Sequence, residues 1–255
     1  RIDPATTANS VVMRDDGIGG DAVAGDGLYT ATLPGQAAGT IVAFRVQATD
    51  RLAASALFPS DAPARECLVR FGDPAPNSSF GTYRFWMTQA THDRWSSREK
   101  LSNEPLDVTF VYGNTRVIYN AGGLYSGSTW HAGGLSSPVN GAANYKITLP
   151  PDDPLLGTGD LNKLHGPGNG WDDETGQREK TCYWLAGQMG LPFSQQRFVN
   201  LYVNGNQRYF IFEDMQVPTS DFIKEYYPAA HAGNLFKDMF WYEFDDDAIS
   251  FTAAA

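Results

Sequence analysis

Apolar and polar positions alternate with a period of two over residues 40–48. Ile41, Ala43, Arg45 and Gln47 fall on one side, and Val42, Phe44, Val46 and Ala48 on a mostly apolar other side. Residues 10–13, 28–33 and 66–71 carry similar short apolar runs between turn residues. Four strands are therefore expected before residue 72, with no competing helical period, and they predict an antiparallel β-sandwich-like module. A stretch rich in Pro, Gly and Ser, GDPAPNSSFG, follows and reads as a linker over 73–80.

Beyond the linker the texture changes to α+β. Strands are expected at 82–88, 106–112, 116–119 and 144–149, the last placing Tyr145, Ile147 and Leu149 on one face and Asn144, Lys146 and Thr148 on the other. A charged segment, 92–101, predicts a helix capped by Thr91 or Ser96. A second helix is expected over 175–189, closed by Gly190 and Pro192, with Cys182, Tyr183, Leu185, Ala186 and Met189 on its buried side. Residues 198–203 and 208–212 read as a hairpin turning at Asn204-Gly205, and 220–225 as a short helix capped by Thr219 or Ser220. The segments 120–143 and 150–174 read as glycine-rich and polar loops. The fold class is thus an N-terminal β module (1–72) followed by a mixed α/β domain (81–255).

Composition narrows the function classes. Net charge is −10 over 255 residues, which is the wrong sign for a general nucleic-acid binder. No apolar run approaches the roughly 18 residues of a membrane span. The two cysteines, Cys67 and Cys182, give neither a disulfide framework nor a zinc site, and both are expected to be buried thiols. Four histidines are dispersed without ligand spacing.

The N-terminal module carries RDDGIGGDAVAGDGLY, which sets Asp15, Asp16, Asp21 and Asp26 among glycines. Clustered carboxylates on a flexible loop suit a hard cation such as Ca2+, although the spacing is not that of an EF-hand. The alternative is a solvated acidic turn. This loop resembles the DDG-x-x-GD-x-x-AGDG-x-Y signature of immunoglobulin- or fibronectin-like modules in large bacterial exported proteins. That resemblance implies a location outside the cell or on the surface of a bacterium.

In the second region Lys146 is the first candidate for chemistry, because a strand lysine can present a point charge to phosphate. A Gly- and Ser-rich loop precedes it, and a helix, two strands and an acidic stop at Glu213-Asp214-Met215 follow. Kinase N-lobes are built in that order, but G-x-G-x-x-G-x-V, V-A-I-K, H-R-D, D-F-G and Walker motifs are all missing from the sequence.

GGLYSGSTW, NYKITL, REKTCYWLAGQMGLP, LYVNGNQRYFIFEDMQVPTSDFI and NLFKD together resemble the spore-coat protein H (CotH) kinase family, an atypical secretory kinase-like group, over about residues 100–238. The resemblance implies ATP binding with Mg2+ or Mn2+ and phosphoryl transfer to protein hydroxyls. It places Lys146 at the nucleotide phosphates, Glu179 as that lysine's partner on the helix, and Glu213, Asp214 and Met215 at the hinge beside the base. Tyr125-Ser126-Gly127-Ser128 stand where the family carries an Arg-x-Arg-Gly-Asn segment. The family's catalytic and metal-binding aspartates lie well past the hinge, so this chain is expected to be the N-terminal portion of a longer protein, inactive by itself. Asp245-Asp246-Asp247 read as a solvated loop.

Two other classes stay open. One is a non-catalytic surface or envelope module with a degenerate kinase-like fold, which would take a protein or surface-layer partner. The other is a carbohydrate-binding or carbohydrate-cleaving surface protein, for which Trp130, Trp171 and Trp241 could contact glycan and the acidic residues of 152–174 could supply paired carboxylates.

Overall fold

The computed structural model describes residues 1–76, 78–100, 102–126, 135–140, 143–165, 175–230 and 232, with the backbone alone for 160–165. Trp130, Trp171, Trp241, Asp172, Asp173, the run 245–247 and the NLFKD segment lie outside the described residues.

The centre of the molecule is a closed seven-stranded barrel. Its strands are β5 (Gly81–Trp86), β6 (Leu106–Tyr112), β7 (Arg116–Ser126), β8 (Asn144–Thr148), β9 (Asp160–His165), β10 (Gln196–Val203) and β11 (Asn206–Met215), in the spatial order β10-β11-β9-β8-β7-β6-β5. Neighbours run antiparallel except β5 and β10, whose parallel pairing from Gly81–Val199 to Phe85–Val203 closes the barrel. Period-two alternation fills the interior with Tyr83, Phe85, Phe110, Tyr145, Ile147, Val199, Leu201 and Phe212. Aromatic rings meet edge to face there, with centroids 5.0 Å apart for Phe85–Tyr145 and 5.2 Å for Tyr83–Phe110.

Two glycines explain why β7 runs past its expected end at residue 119. A Cβ on Gly123 would lie 2.6 Å from the ring of Trp95, and one on Gly122 would lie 2.5 Å from Oγ1 of Thr148. The pair marks close packing against helix α1 (Gln89–Ser97) and β8 rather than a loop. Strand β9 was expected as a polar loop; it forms because its backbone pairs on both sides, with β8 and with β11.

The hairpin β10–β11 turns at Asn204 and Gly205, both with positive φ (46° and 80°), as the Asn-Gly signal predicts. The Asn204 side chain also accepts from the Met87 N–H (2.9 Å) and donates to the Met87 carbonyl (3.0 Å), which ties the turn to the end of β5. Helix α1 begins earlier than expected, because Thr88, not Thr91 or Ser96, caps it: Oγ1 of Thr88 accepts from the Thr91 N–H at 3.1 Å. Helix α2 (Gln177–Gln188) ends where Gly190 takes a positive φ and Leu191 N–H returns to the Ala186 carbonyl. Its expected apolar side is not buried. Cys182 is exposed, and Trp184, Leu185 and Met189 are 59%, 47% and 72% exposed. Helix α3 (Ser220–Tyr226) follows β11.

Before the barrel, β1 (Ile41–Phe44) pairs with β4 (Cys67–Arg70), and β2 (Val46–Thr49) pairs with β3 (Ser55–Phe58), an unpredicted strand. The single strand expected over 40–48 is therefore split at Arg45 between two partners. Residues 10–13 and 28–33 are not strands. One bridge, Arg14 with Thr30, joins that region, and Val11, Val12, Leu28 and Tyr29 stay exposed with no sheet face to cover them. The β1–β4 ribbon packs on the barrel through Ile41, Ala43 and Leu68 against Trp86 and Val111. The Leu68 N–H donates to Oγ1 of Thr109, and Trp86 Nε1 donates to Asp73 in the expected linker.

Candidate functional site

On β8, Tyr145 and Ile147 point into the barrel, so the half-buried Lys146 faces outward. On β11 the same alternation sends Phe212 inward and Glu213 and Met215 outward. Only β9 separates the two strands, with Met215 opposite Lys163 and Tyr145 opposite Leu164. Lys146 and Met215 therefore share one outer face, about 10 Å apart at two inter-strand spacings.

Helix α2 lies over the β10–β11 side of this face. Lys180 donates to the Gln196 carbonyl, and the Tyr183 hydroxyl reaches Met215 Sδ at 3.4 Å and Oε1 of Glu179 at 3.0 Å. Burial, with the charge of Glu179 next, pushes the Tyr183 phenol up to about 12. The start of α2 rests on Glu213: a Cβ on Gly176, which has φ +66°, would meet Oε1 of Glu213 at 2.2 Å. Glu213 is 1% exposed and lies against the N-terminal start of α2.

The expected site residues thus separate into two groups. Lys146, Glu179, Glu213 and Met215 lie on or against one face. Asp214 points the other way, accepting from the Tyr83 hydroxyl (2.5 Å) and Nε of Arg197 (2.7 Å), and closes the end of the core. Glu179 and Lys146 form no ion pair with each other; the described partner of Glu179 is Tyr183.

A groove of about 480 Å³ opens at the end of β11. It is lined by residues of the 156–158 turn, by Gln195, Gln196 and Arg197 of the β10 start, by Asp214 and Met215 at the end of β11, and by Thr219, Asp221 and Glu225 around α3. Its position beside Met215 is where the hinge was expected. Gln196 and Tyr183 had no place among the expected site residues. A glutamine at a strand start has no periodic or motif signal, and Tyr183 was read as helix core.

In the N-terminal loop, carboxylate oxygens of Asp15, Asp21 and Asp26 lie within 4.8 Å of one another, a spacing that can hold a hard cation. Asp16 turns away to pair with Arg14. The loop is held by its own backbone, since Asp15 accepts from the N–H groups of Gly25, Asp26 and Gly27, and Asp21 from that of Gly17.

No protein-family model matches this sequence, and no curated protein matches it. Among the described residues, no helix is long and apolar enough to cross a membrane.

Proposed function

We propose that residues 81–255 form a CotH-like, nucleotide-binding kinase lobe, and that the chain belongs to an atypical protein kinase acting on protein hydroxyls outside the cell or at the surface of a bacterium. The observation that carries this reading is that Lys146, helix α2 and the end of β11 share one outer face, with a groove at the hinge position. Those parts follow one another in kinase order along the chain. Lys146 would meet the phosphates of ATP, and Met215 would border the base. Mg2+ or Mn2+, brought with ATP, would offset the charge of its phosphates. Glu179, held by Tyr183, stands on the helix from which a lysine partner comes in kinases. Asp214, which lines the groove, is held by Tyr83 and Arg197 and would serve as part of the groove's frame.

Thermal denaturation tests this reading. ATP with Mg2+ or Mn2+ at one hundred times its Kd is expected to raise the Tm of the wild-type protein by about 5 °C or more. Lys146→Ala, at a half-buried position on the outer face, is expected to leave the ligand-free Tm within about 2 °C and to remove most of the ATP-dependent rise. A wild-type Tm indifferent to ATP contradicts the proposal. A glycan array that scores binding without any nucleotide effect favours the carbohydrate alternative.

A second reading concerns Ca2+ and rests on the convergence of Asp15, Asp21 and Asp26. Ca2+ is expected to raise the Tm of the protein, a chelator to reverse the rise, and Asp21→Asn to abolish it. Equal Tm values with Ca2+ and with chelator would leave the loop a self-capped acidic turn.

A further inference from the structure

Helix α1 carries a chain of hydrogen bonds that neither reading above uses. His92 Nε2 lies 3.3 Å from Oγ of Ser137, and His92 Nδ1 lies 3.2 Å from Oδ1 of Asp93. Gln89, one helical turn earlier, donates from Nε2 to the same Oδ1 at 2.7 Å and lies 3.3 Å from Nδ1. An unprotonated Nδ1 would set its lone pair against the carboxylate. The imidazole proton therefore stands on Nδ1, and Nε2 is left to accept from the Ser137 hydroxyl. The bonds from His92 and then Gln89 hold the Asp93 carboxyl below the usual carboxylate range.

Ser137 is placed by the fold on the other side of this imidazole. It opens a tight turn, Ser137-Pro138-Val139-Asn140, whose first and last residues are bridged. The turn is tied to the barrel. The Tyr145 hydroxyl donates to the Pro138 carbonyl at 2.7 Å, and Nη1 of Arg208 to the Val139 carbonyl at 2.6 Å. Leu135, two residues before the serine, is buried in the core. Within the turn the Val139 N–H donates to Oγ of Ser137 at 3.3 Å. The hydroxyl is thus fixed from both sides, while Ser137 and His92 stay half-buried and open to solvent.

We propose that Ser137 is a catalytic nucleophile toward carboxylic esters, with His92 as its general base and Asp93 as a positioning residue. A hydroxyl, an imidazole that can take its proton and a carboxylate that orients the imidazole are the parts of an activated serine. This activity is separate from nucleotide binding and does not rest on it. Oγ attacks the ester carbon as its proton passes to Nε2 of His92. The carbonyl oxygen becomes an oxyanion, for which the Val139 N–H beside Oγ is a backbone donor within reach. Collapse expels the alcohol oxygen, which leaves with the proton from Nε2, and the acyl group stays on Ser137. Water then gives a proton to Nε2 and attacks the acyl carbon. Ser137 Oγ departs and takes that proton back. The sum is ester plus water to acid plus alcohol.

A fluorophosphonate probe, which phosphonylates activated serines with loss of fluoride, tests the assignment on the full chain by peptide mapping. Ser137 is expected to be labelled at least about tenfold faster than its exposed neighbour Ser136 in the same sample. His92→Gln is expected to slow labelling of Ser137 by about a hundredfold, and to leave the Tm within about 2 °C. With p-nitrophenyl acetate, Ser137→Ala is expected to remove turnover above the level of the heat-denatured protein. Asp93→Asn is expected to lower kcat by about tenfold or more with KM unchanged. Equal labelling of Ser137 and Ser136 in the wild-type protein overturns the proposal, and so does a folded His92→Gln that labels as fast as wild type. The comparison within the wild-type protein decides the matter even if a variant fails to fold. An unaltered Tm with ATP, by contrast, bears only on the nucleotide reading.

Discussion

Gly123→Ala is expected to destabilise the protein by about 3 kcal/mol, the upper part of the usual range for overpacking a filled core. The added methyl would stand 2.6 and 2.8 Å from two ring carbons of Trp95 and 3.2 Å from Cγ1 of Val108. Trp95 has nowhere to retreat. It is fully buried, and its ring meets Tyr125 at 5.4 Å and Tyr145 at 6.3 Å between centroids. The opposing backbone is fixed as well, because Gly123 pairs with Leu106 on one side and Ile147 on the other. The destabilisation reads directly in urea denaturation as a lower midpoint with an unchanged slope. A loss below about 1 kcal/mol would mean that α1 shifts freely on the barrel. Because β8 carries Lys146 and borders the same glycine pair, the variant is also expected to weaken nucleotide binding at temperatures well below its Tm.

Asp107→Asn is expected to act in the opposite direction, and only above the acid range. Asp107 sits where the segment before β4 meets the barrel. One oxygen accepts from the Glu66 N–H at 3.2 Å, and the other is buried without a partner. Burial pushes its carboxyl up to about 6, against a smaller opposing pull from the Glu66 hydrogen bond and from Arg65, while Asp61 and Glu66 add to the rise. A carboxyl whose folded pKa is raised favours the folded state while it is protonated, below about 4, and loses that contribution as pH climbs through about 6. The gap corresponds to about 3 kcal/mol at neutral pH. Asparagine keeps an acceptor for the Glu66 N–H but leaves an unmatched N–H, which reduces the expected gain to about 2 kcal/mol. The Tm of Asp107→Asn should therefore exceed that of the wild-type protein at pH 8, and the two should converge below pH 4. A constant difference across that range would show that Asp107 does not titrate in the fold. Cys67 next to it is also buried, its thiol pushed up to about 12 by desolvation, so it contributes no competing titration at neutral pH.

What the sequence made legible, and what it hid, follow from the same physics. Strands with clean alternation, 106–112 and 144–148, were readable because one face had to be apolar. The hairpin was readable because Asn204-Gly205 demands positive φ at both residues. Gly122 and Gly123 misled, since glycine usually marks a loop, whereas here it makes room for Trp95 and Thr148 inside a strand. Strand β9, DLNKLH, was hidden by its polar composition, its place being set by two neighbouring strands rather than by its own pattern. The N-terminal runs at 10–13 and 28–33 are apolar enough to read as strands, yet they have no sheet face to cover and stay exposed. Among the expected site residues, parity put Lys146 on the polar face of its strand, whereas Glu213, Asp214 and Met215 were named together from the family resemblance. Asp214 was not separable from them until its inward contacts were seen, and Gln196 was invisible because a glutamine at a strand start has no periodic or motif signal.

The shared face of Lys146, α2 and the end of β11 is most directly tested by hydrogen–deuterium exchange of the protein with and without ATP and Mn2+. Nucleotide at this face should slow exchange in peptides covering β8 around Lys146 and the end of β11 with the residues that follow it to 217, and should leave residues 1–72 unchanged. Exchange that is unaffected by ATP, or protection confined to the N-terminal segment, would contradict a nucleotide-binding lobe built on this barrel.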